Sequence, residues 1–279
     1  MDIIAEKQID IANVKLIATD MDGTLLNGEK ELPPDFYQVF QQIHAQGILF
    51  AAASGRQFFN LQQEFEPIKD DILFIAENGS YVRYKNEDLW VQDLPENSVA
   101  ELIQIARTIP NAHIILCGKK RAYLEDHTPA FLEQVNMYYR EKAFVKDLTQ
   151  VTGDQFLKIA ICDLNGAEHN SYTYFKSLQH QFQVKVSGKI WLDLSHKDAH
   201  KGRAIQIIQE RFQIGFNETM VFGDYLNDLE MMREAYFSYA VENAHPDIKQ
   251  ASNFVTASND EGGVTKVLDR LLAARQRNP

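Results

Sequence analysis

Short apolar runs alternate with amphipathic stretches along the first third of the chain. Val14–Thr19 (VKLIAT), Ile48–Ala53 (ILFAAA) and Ile72–Ala76 are nearly continuous in apolar residues and each closes on a polar or glycine-containing turn. That is the pattern of strands buried on both faces of a parallel sheet. Between them, Pro33 and Pro34 open a helical stretch that runs to Ala45, with Gly47 as its stop, and a second helix is expected around Phe58–Phe65. The order β–α–β–α–β predicts a sheet covered by helices, in which ligands bind beyond the carboxyl ends of the strands.

From about Tyr84 to Ser195 the pattern changes. Shorter, more amphipathic strands are expected at Asp88–Val91, His113–Leu116, Ala122–Glu125, Phe156–Cys162, Val184–Val186 and Ile190–Leu194, with helices at Ser98–Thr108, Pro129–Tyr139 and Ala167–His180. After Lys201 the alternation returns, with a helix to Phe212, a strand at Met220–Phe222, a helix around Leu229–Ala235, a strand at Ser238–Val241 and a last helix at Val264–Ala274. The expected fold class is therefore α/β: a Rossmann-like, doubly wound parallel-sheet core made of residues 1–83 plus 196–279, interrupted by an inserted α+β domain at 84–195. There is no internal repeat or low-complexity tract, and the terminal RQRNP reads as a frayed end.

Composition narrows the class without naming a chemistry. Of 279 residues, 45% are hydrophobic and 24% charged, as in a soluble globular protein. The formal net charge of -11 makes nucleic acid an unfavourable partner. The first residues, with acids at Asp2, Glu6 and Asp10, do not have the form of a signal peptide, and no apolar stretch approaches the ~20 residues of a membrane span, so a cytoplasmic location is expected. Cys117 and Cys162 have no metal-ligand spacing and read as apolar strand residues.

Four polar clusters carry the candidate chemistry. In Asp20-Met21-Asp22-Gly23-Thr24 two carboxylates stand two residues apart where a buried strand opens into a glycine turn. Hard oxygen donors of this kind suit Mg²⁺, and a carboxylate can also attack phosphorus. Ser54-Gly55-Arg56 follows the second strand and offers a hydroxyl, a close backbone approach and a helix N-terminus to phosphate oxygens. Lys201 opens a helix, where its ammonium could neutralise phosphate and carboxylate together. Gly223–Asp228 follows the strand at Met220–Phe222 and brings Asp224 as a further magnesium ligand, with Asn227 and Asp228 orienting water, lysine or substrate.

In this order the clusters resemble the four signature motifs of the haloacid dehalogenase (HAD) superfamily, over Val14 to Asp228. The resemblance implies Asp20 as nucleophile, Asp22 as general acid and then base, Ser54 as a phosphate donor, Lys201 as charge stabiliser, and Asp20, Asp224 and the Asp22 carbonyl as Mg²⁺ ligands. Glu77-Asn78-Gly79-Ser80, the long insertion, Val241–Ala244 and Glu261–Val264 are similar to the Cof-type branch, whose type IIB (C2B) α/β cap supplies much of the substrate selectivity. Two departures are the thirteen residues before the first strand and Ala53, where a threonine is frequent.

The implied activity is hydrolysis of a small phosphomonoester, such as a sugar phosphate or a nucleotide or cofactor phosphate, through an aspartyl phosphate. A phosphotransferase or sugar-phosphate mutase uses the same intermediate. A signalling receiver also uses acids, Mg²⁺, a Ser/Thr and a Lys, but it needs only about 120 residues and no inserted domain; a silent phospho-ligand-binding protein is the remaining alternative. Arg121, Tyr123 and Lys189 are candidates for contacting the leaving group, while His127, His196, His200 and His245 read as structural or solvated. A monomer or weak homo-oligomer is expected, with a small molecule as the only partner.

Overall fold

The computed structural model describes residues 10–277. In chain order its strands are β1 (Leu16–Asp20), β2 (Leu49–Ala53), β3 (Leu73–Ala76), β4 (Tyr81–Tyr84), β5 (Glu87–Val91), β6 (Ala112–Gly118), β7 (Ala122–Leu124), β8 (Lys142–Phe144), β9 (Phe156–Asp163), β10 (Phe182–Gly188), β11 (Trp191–His196), β12 (Thr219–Gly223), β13 (Phe237–Ala240) and β14 (Phe254–Val255). The α-helices are α1 (Phe36–Ala45), α2 (Phe58–Glu64), α3 (Glu96–Arg107), α4 (Pro129–Tyr138), α5 (Ser171–Phe175), α6 (Lys201–Phe212), α7 (Leu229–Met232), α8 (Pro246–Ala251) and α9 (Gly263–Arg277). They fall into two compact units, Met1–Ala51 with Ile205–Pro279, and Ala52–Ala204.

In the first unit the strands run β14-β13-β12-β1-β2. β1 pairs in parallel with β12, from Leu16↔Thr219 to Thr19↔Phe222, and β12 with β13, ending at Gly223↔Ala240. All five residues of β1 and all five of β12 are buried, which explains the continuous apolar runs. α1 turns Phe36, Val39, Phe40 and Ile43 inward at helical spacing, and α9 does the same with Val267, Leu268, Leu271 and Leu272. The end of α9 is tied down rather than frayed: Arg275 donates from Nε to the Ala12 carbonyl (2.9 Å), from Nη2 to Val14 (2.5 Å) and from Nη1 to Gln46 (3.3 Å). Asn278 and Pro279, the rest of the stretch expected to fray, lie outside the described residues.

The second unit holds the antiparallel run β3-β4-β5 and a separate six-stranded sheet in the order β10-β11-β9-β6-β7-β8. All pairs of the latter are antiparallel except β7 with β8. One face of that sheet packs Leu116, Ile159, Ile161, Leu192 and Leu194 against Val99, Leu102, Ile103 and Ala106 of α3 and Phe175 of α5. The other packs Ile115, Cys117, Ala160 and Cys162 against Phe131, Val135 and Tyr139. The two cysteines are thus buried strand residues, with burial pushing the Cys162 thiol up to about 12.

One expected helix is corrected. The helix expected over Ala167–His180 is only α5 followed by a 3₁₀ turn at Lys176–Leu178. Asp163 accepts from Asn165 N, Asn170 Nδ2 and Ser171 N, and Gly166 takes φ 104°, so the chain is held in a turn until Ser171. Sequence reading did not anticipate β4, which ends at Tyr84 and pairs with both β3 and β5.

Candidate active site

The parallel register sets the carboxyl ends of β1 and β12 side by side, and the acidic turns follow from there. Asp20 is the last residue of β1 and only 6% exposed. Gly23 takes φ +84°, which turns the chain back so that Leu25 N and Leu26 N donate to the Met21 carbonyl. Thr24 Oγ1 then donates to Asp224 Oδ1 at 2.7 Å. A Cβ on Gly23 would lie 2.6 Å from Asp224 Oδ2, so glycine is what admits this carboxylate.

Asp224 follows β12, and Asp228 reaches back to it. Asp228 is fully buried, and its Oδ2 accepts from Asp224 N (3.0 Å) and Tyr225 N (3.2 Å), closing the turn. Oxygens of Asp20, Asp224 and Asp228 all lie within 4.8 Å of one another, a spacing that could hold a metal ion. The carboxylate expected in a supporting role is therefore one of the three, whereas the Asp22 side chain is exposed and outside the trio. Asn227 sits in the 3₁₀ turn Leu226–Asp228, half-buried. Asn243, which sequence reasoning missed, donates from Nδ2 to the Gly23 carbonyl (2.8 Å) and accepts at Oδ1 from Asn259 N (3.1 Å). Its only sequence signal was the closing Val241–Ala244 segment.

In the second unit Ser54 is 3% exposed, and its Oγ accepts from Arg56 N at 3.1 Å, an ST-type turn at the end of β2. The loop is held by the next one: Asn78 N donates to the Ser54 carbonyl (3.0 Å) and Glu77 N to the Arg56 carbonyl (3.1 Å). Asn78 also covers Gly55, where a Cβ would lie 3.0 Å from Asn78 Nδ2. Arg56 pairs with Glu64 at 3.4 Å. Lys201 is completely buried at the start of α6.

The remaining candidates have structural surroundings. Tyr123 donates to Asp154 (2.9 Å), while Arg121 and Lys189 are exposed in the β6–β7 and β10–β11 turns. His196, His200 and His245 each accept at Nδ1 from a backbone N–H two or three residues on, and His127 stacks on Phe144. The three backbone contacts lie within turns, and the His127 contact is ring packing.

Carboxylates clustered at the carboxyl end of a parallel sheet, with no sulfur or imidazole among them, fit hard-cation and phosphate chemistry. Such a donor set is what a metal-assisted α/β phosphohydrolase requires. The chain belongs to the haloacid dehalogenase-like hydrolase family, whose profile matches residues 17–268. It is 35% identical over 266 residues to the 5-amino-6-(5-phospho-D-ribitylamino)uracil phosphatase YbjI of Escherichia coli, covering 93% of this chain and 97% of that one. The crystal structure of SMU.1108c from Streptococcus mutans superposes with a TM-score of 0.85 at 30% identity, over 93% and 99% of the two chains. The HAD subclass IIB sugar phosphatase BT4131 shares the fold, with a TM-score of 0.79 at 22% identity over 92% and 98%. The chain is accordingly a Cof-type phosphatase, a hydrolase acting on a small phosphate ester. No described helix is long and apolar enough to cross a membrane.

Proposed function

We propose that the chain hydrolyses a small phosphomonoester in the cytoplasm by a Mg²⁺-dependent, two-step transfer through Asp20. The observation that carries this reading is the trio of carboxylates around Asp20 with the Gly23 turn shaped to admit Asp224. The donor set fits Mg²⁺: Asp20, Asp224 and the Asp22 carbonyl would hold it, with Asp228 beside them. Bound there, the cation supplies charge neutralisation between carboxylate and phosphate.

In the first step a carboxylate oxygen of Asp20 forms a bond to phosphorus as the ester oxygen leaves, and Asp22 gives that oxygen its proton. In the second, Asp22 takes a proton from water as the water cleaves the aspartyl phosphate, releasing inorganic phosphate. The exposure of Asp22 suits a group that must exchange protons with water. Protonating the leaving alkoxide typically contributes ~10²–10⁴-fold. Ser54, with Gly55, Arg56 and Asn227, binds the phosphoryl oxygens, and Lys201 offsets their charge; Asp228 and Asn78 hold these groups in place. Residues 84–195 form the cap that selects the leaving group. The similarity to YbjI makes 5-amino-6-(5-phospho-D-ribitylamino)uracil the first substrate to test, ahead of simple sugar phosphates.

The test is phosphate release from an aryl phosphate and from these candidates, with and without Mg²⁺, by the wild type and by Asp20→Asn. Turnover with water as the only acceptor, lost in D20N, is expected. Undiminished turnover by D20N would remove Asp20 as nucleophile, and transfer only to an added alcohol or sugar would favour a phosphotransferase.

A further inference from the structure

The phosphate-binding loop rests on a buried ion cluster. Lys158, on β9, is 3% exposed, and its Nζ lies 2.8 Å from Glu77 Oε2, 3.3 Å from Asp193 Oδ2 on β11 and 3.0 Å from the Gly55 carbonyl, to which it donates. Nζ hydrogen-bonds to Asp193 and to the Gly55 carbonyl, the backbone at the centre of Ser54-Gly55-Arg56, while Glu77 is held as an ion pair whose carboxylate oxygens accept no hydrogen bond. Asp193 in turn accepts from Asn78 Nδ2 at 3.3 Å. Glu77, Asn78 and Gly79 are all left-handed, with φ of 49°, 56° and 98°. That turn delivers the Glu77 and Asn78 amides to the Arg56 and Ser54 carbonyls, and it packs Gly79 against the His200 carbonyl and Lys201 N, where a Cβ would collide.

We propose that Lys158, clamped by Glu77 and Asp193, is a positioning residue for phosphate binding: it anchors the Gly55 carbonyl and so fixes the direction in which the Ser54–Arg56 loop presents its donors. The inference rests on the assignment of that loop to phosphate. Its chemistry is indirect, since Lys158 is itself occupied by the protein. Loss of the anchor lets the loop relax without removing any group that touches substrate, and a misplacement of this kind can cost up to about 10²-fold in rate.

The test compares wild type, Lys158→Met, Lys158→Arg and the neutral combination E77Q/K158M/D193N, using an aryl phosphate as substrate and inorganic phosphate as competitive inhibitor. K158M is expected to raise both KM and the inhibition constant of inorganic phosphate by about tenfold, and K158R to recover most of that loss. The combination removes the stranded carboxylates, so it is expected to fold better than K158M while phosphate binding stays weak. If K158M or the combination keeps wild-type KM and phosphate inhibition, with only its thermal midpoint changed, Lys158 is merely structural and the proposal is overturned. Absence of turnover in the wild type would instead refute the phosphatase reading itself, a result distinct from an active wild type with an indifferent K158M.

Discussion

Gly23→Ala is the smallest change that tests whether the acidic turn is shaped for a cation. Two costs follow from the geometry. The φ of +84° places an L residue in the left-handed region, which costs about 1–2 kcal/mol. The added methyl would lie 2.6 Å from Asp224 Oδ2 and 3.1 Å from its Cγ, so ordinary contact at about 3.4 Å requires the carboxylate to retreat by roughly 0.8 Å. It is not free to swing, because Thr24 Oγ1 holds Oδ1 at 2.7 Å and Asp228 fixes the backbone at Asp224 N. A shift of that size exceeds the roughly 0.5 Å within which a constellation must be held.

The variant should therefore fold, with a midpoint lower by roughly 2–8 °C, yet bind Mg²⁺ about ten- to a hundredfold more weakly. The assay pairs a Mg²⁺ titration of aryl-phosphate hydrolysis with thermal unfolding over the same concentrations. Stabilisation by a ligand grows with its concentration relative to its dissociation constant, so the Mg²⁺-induced rise in midpoint should be reduced in G23A. Half-saturation by Mg²⁺ and a midpoint rise both within twofold of wild type would refute the reasoning, since the methyl would then have displaced nothing that the cation uses.

Two further outcomes test the buried charges and the end of α9. Burial pushes the Glu77 carboxyl above its ordinary range, although Lys158 pulls it back. A carboxyl raised on folding contributes stability that is complete below its unfolded value of about 4.3 and is lost as pH rises through the elevated one. Glu77→Gln should accordingly flatten the decline of the unfolding midpoint above about pH 4.3, and an unchanged slope would show that another group carries it. Arg275→Ala leaves the Ala12, Val14 and Gln46 carbonyls without this donor, and it should cost about 1–2 kcal/mol with unchanged kcat/KM; an unshifted midpoint would mean that water replaces the guanidinium at no cost.

The parallel core was legible because β1, β2 and β12 are almost wholly buried and therefore nearly continuous in apolar residues. The acidic turns were legible because glycine and aspartate crowd the strand ends. Two things were not. Asp228 could be placed near Asp224 by its number, but its inward aim depends on a 3₁₀ turn that brings Oδ2 back to two amides four and three residues earlier. Lys158 gave no signal at all, since an isolated lysine in an apolar strand marks nothing until its partners, 81 and 35 residues away by numbering (158 − 77 and 193 − 158), are known to meet it.

The Glu77–Gly79 turn shows why such a feature escapes pattern reading and how it survives energetically. Two consecutive non-glycine residues in the left-handed region together cost about 2–4 kcal/mol. Burying two carboxylates against one ammonium is unfavourable as well, and truncating only one partner of such a cluster typically costs about 3–5 kcal/mol more by stranding the others. What offsets both is local: the turn satisfies the Ser54 and Arg56 carbonyls, the lysine satisfies Gly55, and Asp193 satisfies Asn78. Each of these contacts ends on or beside the Ser54–Arg56 loop. A fold seeking stability alone would fill this volume with apolar side chains, which is often neutral or better; strain and buried charge gathered on one loop are the signature of a position that must not move.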